Sequence, residues 1–389
     1  MKLLIVASSL DLQAPFSATP AWWQLLKGLY EVGVDVLATT YQGPAIESLW
    51  WRALPNPVKG YGDLFKALKD RLAPKNKVET GKSGESLSDK AQRQLAQTLI
   101  LPRWRAFMDK QLRAHPDVDA VIFLTIPLNH VVGLARHIQS TFNKPVLYYD
   151  GDVPASLPEF AGFSTGFKIY YGADLTEYAG FISNSLGGIE ALKKMGAKQA
   201  HVLYYGADPE VFSPLPLEKD LDVFFYGHTR EYREVWIDGM IGAASRQLPE
   251  AKFAVRGRGL GDLGNTRLLP YLSFSKLREY ACRAKLNLCI TRRAHASVFA
   301  SSSSRPFELA SLGACIVANP YLGIETWFEP ERELIMIQTP EEAIERYRYL
   351  LAHDAEREQI GAAARARVLK EHTFKHRAAA LVEIVKGYL

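Results

Sequence analysis

Four consecutive serines, an arginine, a proline and one glutamate stand together in a 29-residue stretch of this chain, TRRAHASVFASSSSRPFELASLGACIVAN. An apolar run, LNLCI at residues 286–290, leads into the stretch, and ACIVA at 314–318 leaves it. Serines beside a helix start present outward N–H donors, and the helix dipole adds partial positive charge there. That combination suits a diphosphate, so Ser301–Glu308 is read as the grip on a nucleotide. Glu308 has two readings. A carboxylate near a helix start is favourable through the dipole alone, or it accepts both hydroxyls of a ribose. Arg305 either forks onto a phosphate or is a solvated charge.

Other candidates lie just past apolar runs, where the strand ends of an open α/β sheet bind ligands. Gly227, His228 and Arg230 follow one run, and Arg256 and Arg258 follow another. Cations at such ends would stabilise a pyrophosphate leaving group. Gly259, Gly261 and Gly264 match Gly-x-Gly-x-x-Gly, but no helix pattern opens on the last glycine, so a dinucleotide site is not expected. In the first half, Asp150 and Asp152 follow a strand pattern. They bind an acceptor hydroxyl or act as a base, or they cap a turn. His130 near a helix start is the other catalytic candidate, against a structural histidine. Trp22 and Trp23 are read as core, with one lining an acceptor pocket.

The elements that must position these residues follow from periodicity. Apolar runs at 2–8, 34–40, 120–125, 145–149 and 180–185, with a sixth strand opening the stretch 199–214, alternate with helical patterns at 21–32, 90–115, 128–140 and 185–194. Continuous apolar strands alternating with helices describe a doubly wound parallel sheet. After Pro214 and Pro216 the plan repeats, with strands at 221–226, 251–255, 286–290 and 314–318. Helices are expected at 232–247, 275–283, 306–312, 339–353, 355–371 and 374–389. The domains are read as 1–212, 213–370 and a closing helix 371–389 that returns to the first domain. The polar stretch 74–89 is read as a loop or linker. Trp50, Trp51, Tyr61 and Phe65 mix with Arg52, Lys59, Lys66, Lys69 and Arg71. That mixture reads as an amphipathic helix packed on its own domain, or as peripheral contact with an anionic membrane.

With 389 residues, two domains are the natural division. A charge of +5 suits a phosphate-bearing ligand or an anionic membrane surface and does not decide between them, and no nucleic-acid partner is expected. Cys282, Cys289 and Cys315 form no Cys-x-x-Cys pair, so buried thiols in a reducing cytoplasm are expected and no zinc site is. MKLLIVASS opens on a strand pattern, so no signal peptide is expected. No apolar run is long enough to span a bilayer.

HVLYYGADPEVFSP resembles the exit strand of group-one GT-B glycosyltransferases, and RPFELASLGACIVAN resembles the second half of their Glu-x7-Glu motif. YLSFSKLREYACRAKLNLCITRR resembles the segment before it. The likeness runs from Phe181 to Val368, nearest the spore-maturation-protein-like branch, where Arg-x-Phe-Glu replaces the fuller motif. It implies two Rossmann-like domains: an N-terminal one for the acceptor and a C-terminal one for a nucleotide-sugar donor such as a UDP-sugar. It further implies that Glu308 binds the donor ribose and that Ser303 and Ser304 offer N–H groups to the diphosphate. Tyr271 and Leu272 would lie beside the base, and Gly227 would let the phosphates approach. Arg230 and Arg256 would form the positive pair, with no metal and no cofactor needed. One position departs from the family: Ala300 stands where the first motif glutamate, which touches donor-sugar hydroxyls, is expected. The implied function is sugar transfer to a glycan, lipid-linked or small-molecule acceptor. The alternatives are a nucleotide-sugar epimerase or hydrolase on the same plan, or a catalytically silent nucleotide-binding partner subunit.

Overall fold

The computed structural model describes residues 1–12, 21–60, 84–160, 164, 167–228, 233–270 and 273–389. These fall into two units. The first comprises Met1–Leu12, Trp22–Leu203 and Ala378–Leu389, and the second includes Tyr204–Arg377.

Unit 1 is built on a seven-stranded sheet. In chain order its strands are β1 (Lys2–Ala7), β2 (Asp35–Thr40), β3 (Arg52–Ala53), β4 (Ala120–Leu124), β5 (Val146–Asp150), β6 (Gly180–Ser183) and β7 (Ala200–Val202). They lie side by side as β3-β2-β1-β4-β5-β6-β7, and every pair is parallel. The strands run apolar because both faces are covered; β4 and β5 are buried along their whole length. Helices α1 (Ala21–Glu31), α2 (Leu87–Leu99), α3 (Leu101–Ala114), α4 (Leu134–Phe142) and α5 (Ile189–Lys194) accompany the sheet. The helix expected at 90–115 is two helices. Pro102 sits in the first turn of α3, where its missing N–H costs nothing, but inside one long helix it would break the ladder. The helix expected at 128–140 is a 3-10 turn, Leu128–His130, followed by α4.

Unit 2 repeats the plan with six parallel strands. They are β8 (Leu221–His228), β9 (Phe253–Arg258), β10 (Arg267–Leu269), β11 (Ala284–Cys289), β12 (Cys315–Ala318) and β13 (Ile335–Met336), ordered β10-β9-β8-β11-β12-β13. Alternate residues of β8 feed two cores. Phe224 joins Phe307 and Trp327 on one face, while Val223 and Phe225 join Ile241 and Tyr347 on the other. The helical stretch after β8 is α6 (Glu234–Ile237), a π-helical segment (Asp238–Ala243) and α7 (Ala244–Gln247). Then come α8 (Phe274–Arg283), α9 (Arg293–Ser297), α10 (Ser304–Ser311), α11 (Pro340–Ala352), α12 (Asp354–Glu371) and α13 (Phe374–Lys386). Gly264 leads into β10, not into a helix, as the discounted glycine motif requires.

In both sheets the order reverses at one place. It lies between β1 and β4 in unit 1 and between β8 and β11 in unit 2. The carboxyl ends of the strands flanking a reversal form the crevice that open α/β sheets use for ligands.

Candidate functional site

In unit 2, β8 ends in Tyr226-Gly227-His228 and β11 runs out through Ile290 and Thr291. Tyr226 donates its hydroxyl to Glu308 Oε2 at 3.0 Å. Glu308 is 1% exposed. A buried carboxylate is tolerated only when hydrogen-bonded or paired. Helix α10 begins at Ser304, two residues earlier than the sequence pattern suggests, so Glu308 lies in its second turn and not at its mouth. The dipole-capping account therefore loses its geometry, and that expectation is corrected. Ser303 is the N-cap residue and makes no side-chain cap bond. The first-turn N–H groups beyond it, starting with Ser304 and Arg305, have no acceptor within the helix.

Arg305 is not a solvated charge. It is half-buried, with its guanidinium 5.3 Å from the Phe225 ring and 5.1 Å from the Tyr226 ring. Its Nη1 donates to the Ile290 carbonyl at 3.1 Å. Arg233, at the start of α6, donates to the same carbonyl at 3.1 Å and lies 5.8 Å from Phe225. Two guanidinium groups thus converge beside the β8–β11 reversal. Sequence reasoning named Arg230 and passed over Arg233. The signal available was its place six residues after Gly227, at the opening of a helical pattern.

Arg256 lies inside β9, 3% exposed and in register with Tyr226, so it is no surface charge. Gly227 has a packing reason to be glycine. A Cβ there would stand 2.7 Å from Phe225 Cζ and 3.4 Å from Arg233 Nη2. A Cβ at its register partner Gly257 would meet the Gly227 carbonyl at 2.1 Å. Arg230, Tyr271, Leu272 and the side chain of His228 lie outside the described residues.

The serines before α10 are divided. Ser301 and Ser302 are fully buried. The Tyr205 N–H donates to Ser302 Oγ at 2.9 Å, and the Tyr321 hydroxyl donates to the Ser301 carbonyl. They hold the loop's shape, and only Ser303 and Ser304 stay partly exposed. Ala300 has φ +46°, and its methyl is fully buried in the core that contains Phe307 and Trp327. A cavity of about 450 Å³ opens nearby, lined by Arg233, Trp236, Thr291, Arg293 and Asn319 among others. Asn319 is the first residue after β12, and its Oδ1 accepts the Thr291 N–H at 2.7 Å.

In unit 1, Asp150 closes β5 and is fully buried. Its Oδ2 accepts from the hydroxyls of Ser156 and Tyr170, and its Oδ1 accepts the Asp152 N–H at 2.8 Å. Burial lifts its carboxyl to about 6, against the pull of those hydrogen bonds. Asp152 is half-buried and accepts from Ser164 Oγ at 2.7 Å. His130 is 4% exposed, with Nδ1 2.7 Å from the Tyr41 hydroxyl. Burial first, and then the Arg93 charge, push it down to about 4. It also packs edge-on against Phe167. Trp22 is half-buried rather than core; its Nε1 donates to Ser8 Oγ at 3.2 Å, beside the β1 end of the reversal. Trp23 packs on Trp50 at 4.7 Å, and Trp51 is buried with Nε1 bonded to the Ile46 carbonyl. Tyr61, Phe65, Lys66, Lys69 and Arg71 lie outside the described residues. Among the described residues, no helix is long and apolar enough to cross a membrane, and no cluster of three His, Cys, Asp or Glu could hold a metal.

Residues 233–383 match the glycosyl transferase-like family. Among curated proteins, no match is found. Solved structures align over nearly the whole chain. Sucrose-phosphate synthase from Thermosynechococcus elongatus is 15% identical, covering 99% of this chain and 98% of that one, with a TM-score of 0.63. Trehalose-6-phosphate synthase OtsA is 14% identical, covering 99% of both chains, with a TM-score of 0.65. Anabaena HepE in complex with UDP-glucose is 14% identical over 100% of both chains, with a TM-score of 0.59. Two parallel-sheet α/β units with these structural neighbours make this a chain of the GT-B fold.

Proposed function

We propose that this chain is a glycosyltransferase that takes a sugar from a nucleotide-diphosphate donor, a UDP-sugar, held by unit 2, and passes it to an acceptor bound by unit 1. The observation that carries the reading is the grouping of Glu308, Arg305 and Arg233 where the sheet order reverses. Glu308 is a buried carboxylate that accepts from the Tyr226 hydroxyl, and a carboxylate is suited to accept from ribose hydroxyls as well. Arg305 and Arg233 supply positive charge where a diphosphate would gather negative charge on departure. The N–H groups of Ser304 and Arg305 add the donors of a helix start. Fixed cations do the work a metal would otherwise do, so the reaction is proposed to be metal-independent, with no cofactor beyond the donor. The match over 233–383 supports this reading, as does the UDP-glucose held by HepE. Arg-Pro-Phe-Glu at 305–308 favours the spore-maturation-protein-like branch.

On the acceptor side, Asp152 is the proposed base, because it is half-buried and its backbone is pinned by Asp150. For His130, burial and the bond to Tyr41 favour a packing role. A second reading has one observation behind it. With Ala300 buried, the chain would bind nucleotide without turning it over.

Calorimetric titration with UDP, GDP, ADP and dTDP tests the first reading: one of them should bind, and Glu308→Ala should weaken it at least tenfold. Binding of none would end the proposal. Donor breakdown that stays absent across a panel of glycan, lipid-linked and small acceptors would leave the binding-only reading. Breakdown without any acceptor would point to hydrolysis.

A further inference from the structure

The cavity beside the β11 and β12 ends opens next to the diphosphate grip. Arg233 and Arg305 share the Ile290 carbonyl, and Thr291, one residue on, is already in the lining. The sugar of a nucleotide donor hangs from the outer phosphate by a single oxygen, so a space at this point is within its reach. The volume of about 450 Å³ falls within the roughly 300–1,000 Å³ of small-molecule pockets.

The polar groups of the lining that remain unspent are not its cations. Arg233 donates to the Ile290 carbonyl, and Arg293 has an interaction of its own. Glu234 differs from both. It is exposed, it lines the cavity, and its carboxylate has no hydrogen-bond or ion-pair partner among the described residues. An ionised carboxylate only accepts, and it holds a hydroxyl donor more strongly than a neutral oxygen does. The Thr291 hydroxyl has only the Cys289 thiol near it among the described residues, at 3.7 Å. Trp236 is half-buried, packed partly on the core of Phe225 and Tyr347 and lining the cavity with the rest. Its Nε1 has no hydrogen-bond partner among the described residues. An indole combines a broad apolar surface with one N–H donor, and Ala296 and Pro320 extend the apolar wall. A carboxylate, a hydroxyl and an indole together complement a neutral ring with hydroxyls at its rim and C–H groups on its faces. An acidic ring would set its own charge against Glu234.

From this we infer that the cavity holds the donor's sugar, that the sugar is a neutral hydroxyl-bearing ring, and that Glu234 accepts its hydroxyls while Trp236 packs against its C–H face. The inference rests on the sugar-transfer reading and adds to it the class of sugar and two residues that select it. Titration of the full chain with UDP, GDP, ADP and dTDP, and with the glucose or mannose derivative of each, tests it. For the base that binds, Trp236→Ala and Glu234→Ala should each weaken the neutral sugar nucleotide about tenfold or more and leave the bare diphosphate unchanged. Glu234→Gln, which keeps an acceptor oxygen, should lose less. Glu234 is exposed, so its variants should keep the wild-type melting temperature and decide the matter even if Trp236→Ala fails to fold. UDP-glucuronic acid or GDP-mannuronic acid should bind more weakly than its neutral partner, and Glu234→Gln should narrow that gap. Equal losses for diphosphate and sugar nucleotide, a neutral sugar nucleotide indifferent to both residues, or an acidic one binding as tightly as the neutral would overturn the inference while nucleotide binding stands. If none of the four diphosphates binds, the sugar-transfer reading falls, and the inference falls with it.

Discussion

Glu308 and Tyr226 form a pair whose two members can be removed separately. Tyr226→Phe deletes one donor to a buried carboxylate, and a hydrogen bond of this kind contributes roughly 0.5–1.5 kcal/mol. Urea denaturation should show that loss, with nucleotide affinity falling less than in Glu308→Ala. Equal losses of affinity would mean that the hydroxyl, not the carboxylate, meets the ligand. Asp150 carries a pH signature. Its carboxyl is lifted from 3.8 to about 6 by burial. Between those values the folded chain holds a proton that the unfolded chain has released, so stability falls as pH rises through that window and the loss is complete above it. The difference is on the order of 2–3 kcal/mol. Denaturation of Asp150→Asn across pH 4 to 7 should show a shallower decline than wild type; an unchanged slope would mean that Asp150 ionises freely. Glu308 and Arg305 could be found in the sequence because serines, proline and an apolar strand frame them. Arg233 could not be separated from Arg230: both follow the same strand, and only the fold shows a guanidinium turned onto Phe225 and Ile290.

Elements were legible where they were long and apolar. β1, β4 and β5 each contain five buried residues in a row, and β8 and β11 are mostly buried; such runs announce themselves. β3 and β13 have two residues each and β10 has three. No periodicity can be read from so few residues; they are strands only because a neighbour offers an edge. The π-helical segment 238–243 was equally hidden, since its composition is that of an ordinary helix. The β8–β9 pair has a strict requirement at Gly257. A Cβ there would collide with the Gly227 carbonyl, and overpacking of this kind costs about 1–3 kcal/mol. Gly257→Ala should therefore lower the denaturation midpoint and, by spreading β8 from β9, weaken nucleotide binding. Full retention of both would show that the strands part without cost.

At the scale of the molecule, the chain leaves unit 1 after Leu203 and rejoins it at Ala378. The duplicated sheet plan was visible in the alternation of strands and helices, and a closing helix returning to the first domain was expected with it; the contacts that place Ala378–Leu389 in unit 1 are seen only in the fold. Tyr388 makes such a contact, its hydroxyl lying 2.7 Å from His201 Nε2. Tyr388→Ala should raise amide exchange in β6 and β7 and leave β8 to β12 unchanged; uniform exchange throughout would deny the assignment of this segment to unit 1. The three thiols have a practical use. Cys282, Cys289 and Cys315 are each 5% exposed or less, and burial raises Cys289 and pushes Cys315 up to about 12, so neither readily forms the thiolate that alkylating reagents attack. A maleimide dye should pass over the native chain. One cysteine placed on an exposed residue of each unit would then accept a donor and an acceptor fluorophore, giving a ruler for the distance between the units without first stripping the protein of its own sulfur.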